Sequence, residues 1–305
     1  MALYSQHQGA PSFETLPPEL QQNIFGYLEN DSATLLIAIR VSKAWYHDCI
    51  GLLWHESTQK RLIKVPTPDR RQHYANLILD LDVDDDLSHG LCDGLEFPAL
   101  KIIRFMEGSF PVSKLRRCLQ KGLHTIHYTD CEPDEATLEM LEPCPNQVEE
   151  LEIMMPDSSN VSPDQFMSFL QSLLALRRLN LLNVQADTME RFYAWKGDVV
   201  AQLEELSIDE SCDSGTDLEL RNHFLMRCTG LRKIDLDHGD PLAADALVHL
   251  SGLASLENLS LYHWITDDVS RQFRERISDR TSNSRPFLCH CAAESLQSCL
   301  SSPAH

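Results

Sequence analysis

The sequence predicts an α+β repeat protein: a small three-helix unit followed by a curved α/β horseshoe of about eight irregular repeats. Three observations predict it. Residues 16–54, LPPELQQNIFGYLENDSATLLIAIRVSKAWYHDCIGLLW, hold three short helical patterns. From Tyr74 onward, a six-residue pattern, apolar-x-x-apolar-x-apolar, recurs eight times. Helical patterns with recognisable starts fill the intervals.

The first helix opens on Pro17 and Pro18, which suit a first turn because the missing N–H has no intrahelical partner there. Leu20, Ile24, Tyr27 and Leu28 then form one stripe. Asn30 and Asp31 break the pattern, and Leu35, Leu36 and Ile39 begin a second stripe. Ser42 suits the N-cap of a third helix, on which Trp45, Cys49, Leu52 and Leu53 share a face. So small a unit cannot bury that much apolar surface by itself, which predicts a partner helix or a neighbouring domain.

Those residues resemble an F-box: Leu16, Pro17, Glu19, Leu20, Ile24, Tyr27 and Leu28, then Val41, Ser42 and Trp45, with Leu53-Trp54 in the closing place. Ile37 and Ala38 depart mildly, leaving the second helix an unusually apolar outer side. The resemblance implies a module over 12–56 that docks on the Skp adaptor of a cullin–RING ubiquitin ligase. It implies Leu16, Pro17, Glu19, Leu20, Ile24, Leu28, Leu35, Val41 and Trp45 as the docking residues, while the remainder selects a substrate.

Residues 57–73, with Lys60, Arg61, Lys64, Arg70 and Arg71, read as a solvated connecting segment. The repeated pattern then occupies Tyr74-Leu77-Leu79, Leu100-Ile103-Phe105, Leu123-Ile126-Tyr128, Val148-Leu151-Ile153, Leu176-Leu179-Leu181, Leu203-Leu206-Ile208, Leu231-Ile234-Leu236 and Leu256-Leu259-Leu261. Recurrence at twenty-odd residues marks a solenoid over 74–277. Ser162-Pro163 predicts one helix start, Asp187 with Glu190 a capping box, and Thr266-Asp267-Asp268 the last start. The repeats resemble the leucine-rich repeats of F-box proteins, in which a Cys often precedes the strand. Cys228-Thr229-Gly230-Leu231 and Cys144-Pro145 fit, although the usual Asn or Cys after the strand core appears only as Cys131. Residues 278–305 are predicted to be a disordered tail.

A formal charge of −20 over 305 residues argues against nucleic acid. No run of membrane length and no leader at Met1 is read, which predicts a cytoplasmic or nuclear protein with reduced thiols. Asp80, Asp82, Asp84, Asp85 and Asp86 fail the calcium-loop pattern, with Asp85 where Gly is needed and Leu91 where Glu is needed. Cys289-His290-Cys291 lacks a second ligand pair. No catalytic motif organises the scattered His, Cys and Asp residues, so neither catalysis nor a metal or cofactor is expected.

The repeat register turns the third, fifth and seventh pattern residues to the concave side and sets the eighth at its edge. That places acids at Asp80, Glu107, Asp130, Glu150, Glu152, Glu205, Asp209, Glu210, Asp235 and Asp237, against Arg104, Arg178 and Lys233. With Tyr262 adding contact area, this face is expected to bind a protein substrate through a basic segment. Taken together, the expectation is a non-catalytic substrate receptor with an adaptor and a cullin as partners. A non-degradative interaction scaffold is the alternative.

Overall fold

The computed structural model describes residues 13–84, 94–106, 122–129, 138, 147–154, 161–184, 186–209, 217–237, 244–261 and 288–291. A 3₁₀ turn, Phe13–Thr15, leads into α1 (Pro18–Gly26), α2 (Ser32–Ala38) and α3 (Lys43–Trp54). Their starts follow from local chemistry. Pro17 is the N-cap of α1, with Pro18 at its first position. Asp31 caps α2 by accepting from Thr34 N at 3.0 Å and Thr34 Oγ1 at 2.6 Å, and this hydroxyl bond holds the Asp31 carboxyl below its usual pKa. Ser42 Oγ accepts from Trp45 N at 3.2 Å and caps α3.

The helical unit has a small core of its own. Phe25, Leu35, Ala38, Cys49, Ile50 and Leu53 are buried. Phe13, Phe25 and Trp45 meet with ring centroids 4.6 to 5.2 Å apart, fastening the opening turn to α1 and α3. The Gln21 amide donates to Leu16 O at 2.8 Å and Phe13 O at 3.3 Å, which fixes the same turn from the other side. Burial pushes the Cys49 thiol up to about 11, so it stays protonated and unreactive at neutral pH.

No free linker follows. Chain direction passes from Trp54 through His55 straight into β1 (Glu56–Thr58), the first strand of the sheet. The ring of Trp54 stacks on Tyr74 at 4.3 Å and 4°, while the Arg61 guanidinium lies 4.5 Å from it. Arg61 also donates to Leu53 O at 2.9 Å, and His55 O accepts from both Leu79 N and Asp80 N at 2.9 Å. Residues 57–73 are thus not a solvated connection. They supply β1, α4 (Gln59–Ile63) and α5 (Pro68–Ala75), with Leu62 and Ala75 fully buried.

Among the described residues the sheet has ten strands in sequence order, every neighbouring pair parallel. After β1 come β2 (Asp80–Asp84), β3 (Ile102–Met106), β4 (Thr125–Thr129), β5 (Glu150–Met154), β6 (Arg178–Leu182), β7 (Glu205–Asp209), β8 (Lys233–Asp237), β9 (Asn258–Leu261) and β10 (Leu288–Cys291). Helices α6 (Pro163–Ser172), α7 (Ala186–Tyr193), α8 (Val199–Gln202), α9 (Leu218–Arg227) and α10 (Ala244–Gly252) occupy the crossovers. Parallel strands require such crossovers. Strands repeat at about 4.8 Å while packed helices need about 8–10 Å, so a sheet with all its helices on one side bends away from them.

Inward positions form continuous ladders. One runs Leu81, Ile103, Ile126, Leu151, Leu179, Leu206, Ile234, Leu259, and each is at most 2% exposed. Its neighbour begins Val83, Phe105, Tyr128, Ile153, with the Phe105 and Tyr128 rings stacked at 4.8 Å. This register corrects the first repeat. Residues Ile78, Leu81 and Val83 fill the inward positions, whereas Tyr74, Leu77 and Leu79, four residues earlier, lie in α5 and the turn after it.

Two further expectations are revised. Asp187 is no capping-box residue; it lies inside α7, and its Oδ1 accepts from the adjacent Thr188 N at 2.8 Å. Leu288–Cys291, placed in the expected disordered tail, pairs with β9, because the open edge there offers unsatisfied backbone groups to any extended segment. Ser162 does form a complete capping box with Gln165. Cys228 caps α9 and is fully buried, with its thiol pushed up to about 12 by that burial. Glu107, Asp130, Glu210, Cys131, Cys144, Tyr262 and the helix start at Thr266 lie outside the described residues.

Gly230 shows how tightly successive repeats approach. A Cβ there would stand 2.7 Å from Ala201 O and 3.1 Å from Leu203 O. At Gly122 the nearest atom would be Leu100 O at an ordinary 3.4 Å. Gly230→Ala should therefore lose about 1–3 kcal/mol, and Gly122→Ala should change little; urea unfolding of both variants checks this. Equal stability of the two would contradict the packing account.

Candidate functional site

Two surfaces stand out, one on the helical unit and one on the sheet. The first is on the helical unit. Leu20, Ile24 and Tyr27 line the outer side of α1, with Tyr27 90% exposed. Leu36, Ile37 and Val41 extend apolar exposure along α2 and the turn after it, Ile37 at 66%. Three helices of this length have only one inward side, which Phe25, Leu35 and Ala38 take up, so the opposite side stays uncovered. A stripe of large apolar side chains left in solvent marks an interaction surface.

The structure sorts the expected docking residues into two sets. Pro17, Glu19, Leu20, Ile24 and Val41 are exposed. Leu16, Leu28 and Trp45 are half-buried, with Trp45 held in the aromatic cluster. Leu35 is corrected: at 0% exposure it belongs to the unit's own core and has no surface to offer. Ala38, expected on the outer side, also faces inward. Tyr27, Leu36 and Ile37 are the exposed residues that the expected docking set omits. The helical period alone places Tyr27 with Leu20 and Ile24.

The second surface is the open face of the sheet. Strand residues that alternate with the buried ladders stand here in columns. One column runs Asp80, Ile102, Thr125, Glu150, Arg178, Glu205, Lys233, Asn258, and the next runs Asp82, Arg104, His127, Glu152, Asn180, Ser207, Asp235, Ser260. Two cations are already committed. Arg104 Nη1 donates to Asp80 Oδ1 at 2.5 Å and Asp82 Oδ1 at 3.3 Å. Burial nevertheless raises the Asp80 pKa, with Arg104 opposing. Arg178 sends Nε and Nη2 to one oxygen of Glu150, at 3.0 and 2.9 Å.

His127 Nε2 stands 3.5 Å from the other Glu150 oxygen, Oε1, while Thr125 Oγ1 donates weakly, at 3.4 Å, to the Oε2 that Arg178 holds. Bonding by His127 first, and then by Arg178, depresses the Glu150 carboxyl to about 2. A depressed acid contributes stability above its ordinary pKa of 4.5, and the contribution is lost as pH falls toward about 2. Wild-type urea midpoints should therefore fall between about pH 5 and about pH 3, and Glu150→Gln should flatten that fall. An equally steep fall in the variant would remove Glu150 as the cause.

Over β5–β8 the face is hollowed into a cavity of about 290 Å³ lined by Glu150, Glu152, Arg178, Asn180, Glu205, Ser207, Lys233 and Asp235, among others. It gathers most of the expected substrate-side residues. Arg104 stands apart, two strands away from β5. Asp209 lies on the same face of β7, and Asp237 ends β8. Sequence reasoning omitted Asp82, His127, Asn180 and Ser207 from this face. Their signal was present: each occupies the fifth place of its repeat, and for Asp82 the slipped first register concealed it.

Among the described residues, no helix is long and apolar enough to cross a membrane. The F-box-like family matches residues 13–60. No curated protein matches the chain. Among solved structures, the chain is similar to an internalin (inlF) from Listeria monocytogenes str. 4b F2365, at 15% identity and a TM-score of 0.39. That alignment covers 72% of this chain and 62% of the internalin. Residues 13–60 are thus an F-box-like domain, built directly onto a sheet of parallel strands stacked in sequence order.

Proposed function

We propose that this chain is the substrate-recognition subunit of an SCF-type cullin–RING ubiquitin ligase. Its F-box-like domain docks on the Skp adaptor, and the open sheet face receives a protein substrate. One observation carries the reading: on an F-box-like domain, the apolar stripe Leu20, Ile24, Tyr27, Leu36, Ile37 and Val41 is left in solvent. A partner helix laid into that stripe would bury it. The chain itself then contributes proximity, not catalysis, and works in the cytoplasm or nucleus with adaptor and cullin.

Affinity purification of the full chain tests this. The adaptor and a cullin should co-purify, together with a partner whose abundance rises when the proteasome is blocked. Recovery of the adaptor without cullin would favour a non-degradative scaffold. Failure to recover the adaptor at all would sink both readings.

A further inference from the structure

The chain's charge is unevenly spread. Residues 40–73 hold seven of its 26 Lys and Arg but only three of its 46 Asp and Glu, so this stretch is positive in a protein whose formal charge is −20. Helices α3 and α5 gather part of that excess. On α3, Lys43, Tyr46, His47 and Trp54 follow one another at helical spacing along one face. On α5, Arg70, His73 and Tyr74 do the same.

Aromatic contacts hold the two faces together. The hydroxyls of Tyr46 and Tyr74 are hydrogen-bonded, and the Arg70 charge reaches Tyr46. Trp54 stacks on Tyr74 at 4.3 Å, while the His47 ring packs on Tyr46 at 5.7 Å and the His73 ring on Tyr74 at 5.4 Å. The result is a seam with an aromatic floor, Lys43 and His47 along one bank and Arg70 and His73 along the other, all four exposed. Among the described residues no carboxylate forms an ion pair with Lys43 or Arg70, in contrast to Arg104 and Arg178. Asp48 is turned off the Lys43–His47 face, and Asp69 serves the first turn of α5, where an acid suits the helix dipole.

We propose that this seam docks an acidic, extended segment of a partner protein, its carboxylates accepting from Lys43 and Arg70 and its backbone lying over Tyr46 and Tyr74. The donors are strung along two helices, one turn apart on each, and do not converge on one point. That suits carboxylates spaced along a chain better than a single phosphate. A nucleic acid fits poorly, because its phosphates run on past the seam into the field of a strongly acidic chain. A short segment escapes most of that field, since salt screens exposed charges beyond about 8 Å at physiological ionic strength. The seam belongs neither to the α1–α2 stripe nor to the open sheet face, and the assignment does not rest on the ligase reading.

The test uses the full chain and a fluorescent heptapeptide of alternating Ala and Glu, followed by anisotropy. Wild type should bind it in spite of the like net charge, and should not bind the Gln version. Lys43→Gln with Arg70→Gln should weaken binding about tenfold, the sum expected of two exposed charge pairs, with thermal unfolding unchanged. Lys196→Gln with Arg232→Gln removes the same charge from exposed positions elsewhere and should leave affinity unchanged. Equal weakening by that control pair would show a response to net charge only and overturn the assignment. So would equal affinity for the Glu and Gln peptides. Tighter binding of a peptide with a single phosphoserine would mean one converged anion pocket, and comparable binding of a single-stranded oligonucleotide a nucleic-acid surface. Either result overturns the proposal. Displacement of the peptide by purified adaptor would place the seam inside the adaptor's footprint, with the same consequence.

Discussion

Leu20→Asp should weaken adaptor binding about thirtyfold or more while leaving the fold intact, because one buried anchor of an interface typically carries at least that much. The Leu20 side chain is nearly half exposed and on the outer side of α1. Changing it removes no core contact, so the cost to stability should stay within about 0.5 kcal/mol. Ile37→Asp, on the neighbouring helix and more exposed still, should act the same way. Leu35→Asp gives the necessary contrast: fully buried, it should unfold the helical unit outright. Calorimetric titration against purified adaptor, paired with thermal unfolding, separates the cases. Undiminished affinity in both surface variants would rule the stripe out as the docking site.

Trp54→Ala should cost about 3–5 kcal/mol, the range for emptying a buried tryptophan site. Its ring is 7% exposed and lies between Tyr74 and the Arg61 guanidinium. Tyr74 and Arg61 both lose a partner at once, and the Arg61 guanidinium keeps its bond to Leu53 O. Hydrogen exchange should show the earliest loss of protection in β1 and β2, where His55 O receives Leu79 and Asp80 N–H groups. A loss under about 1 kcal/mol would mean the two parts are held together by something else.

Much of this architecture was legible. Repeated Leu and Ile at fixed offsets announce a solenoid because the same three inward positions recur in nearly every strand. Legibility failed where that chemistry changed. Ser57 and Gln59 stand in β1 where Leu81 and Val83 stand in the next strand, or just beyond, and both are buried. Polar residues in inward places hide a strand from any apolar pattern. Tyr74, Leu77 and Leu79 present the right spacing four residues too early, and only pairing with β3 settles the register. On the candidate surfaces, residue type gave the docking helices, but Leu35 and Ile37 differ only in which side of α2 they occupy. Arg104 and Arg178 looked like free cations in the sequence; cross-strand neighbours commit them.

The absence of a linker at His55 has a practical consequence. In a solenoid each end must be closed, since a bare terminal strand exposes backbone groups and an apolar flank. Here α3 packs beside β1 and supplies that closure. A truncation that removes residues 13–55 would therefore do two things together. It would abolish the docking stripe and leave the first repeat raw, with Tyr74 and Arg61 facing water. Cells expressing such a fragment would show sticking and turnover as well as lost recruitment. Single changes at Leu20 or Ile37 avoid that confusion, because they alter what the protein recruits without opening its end.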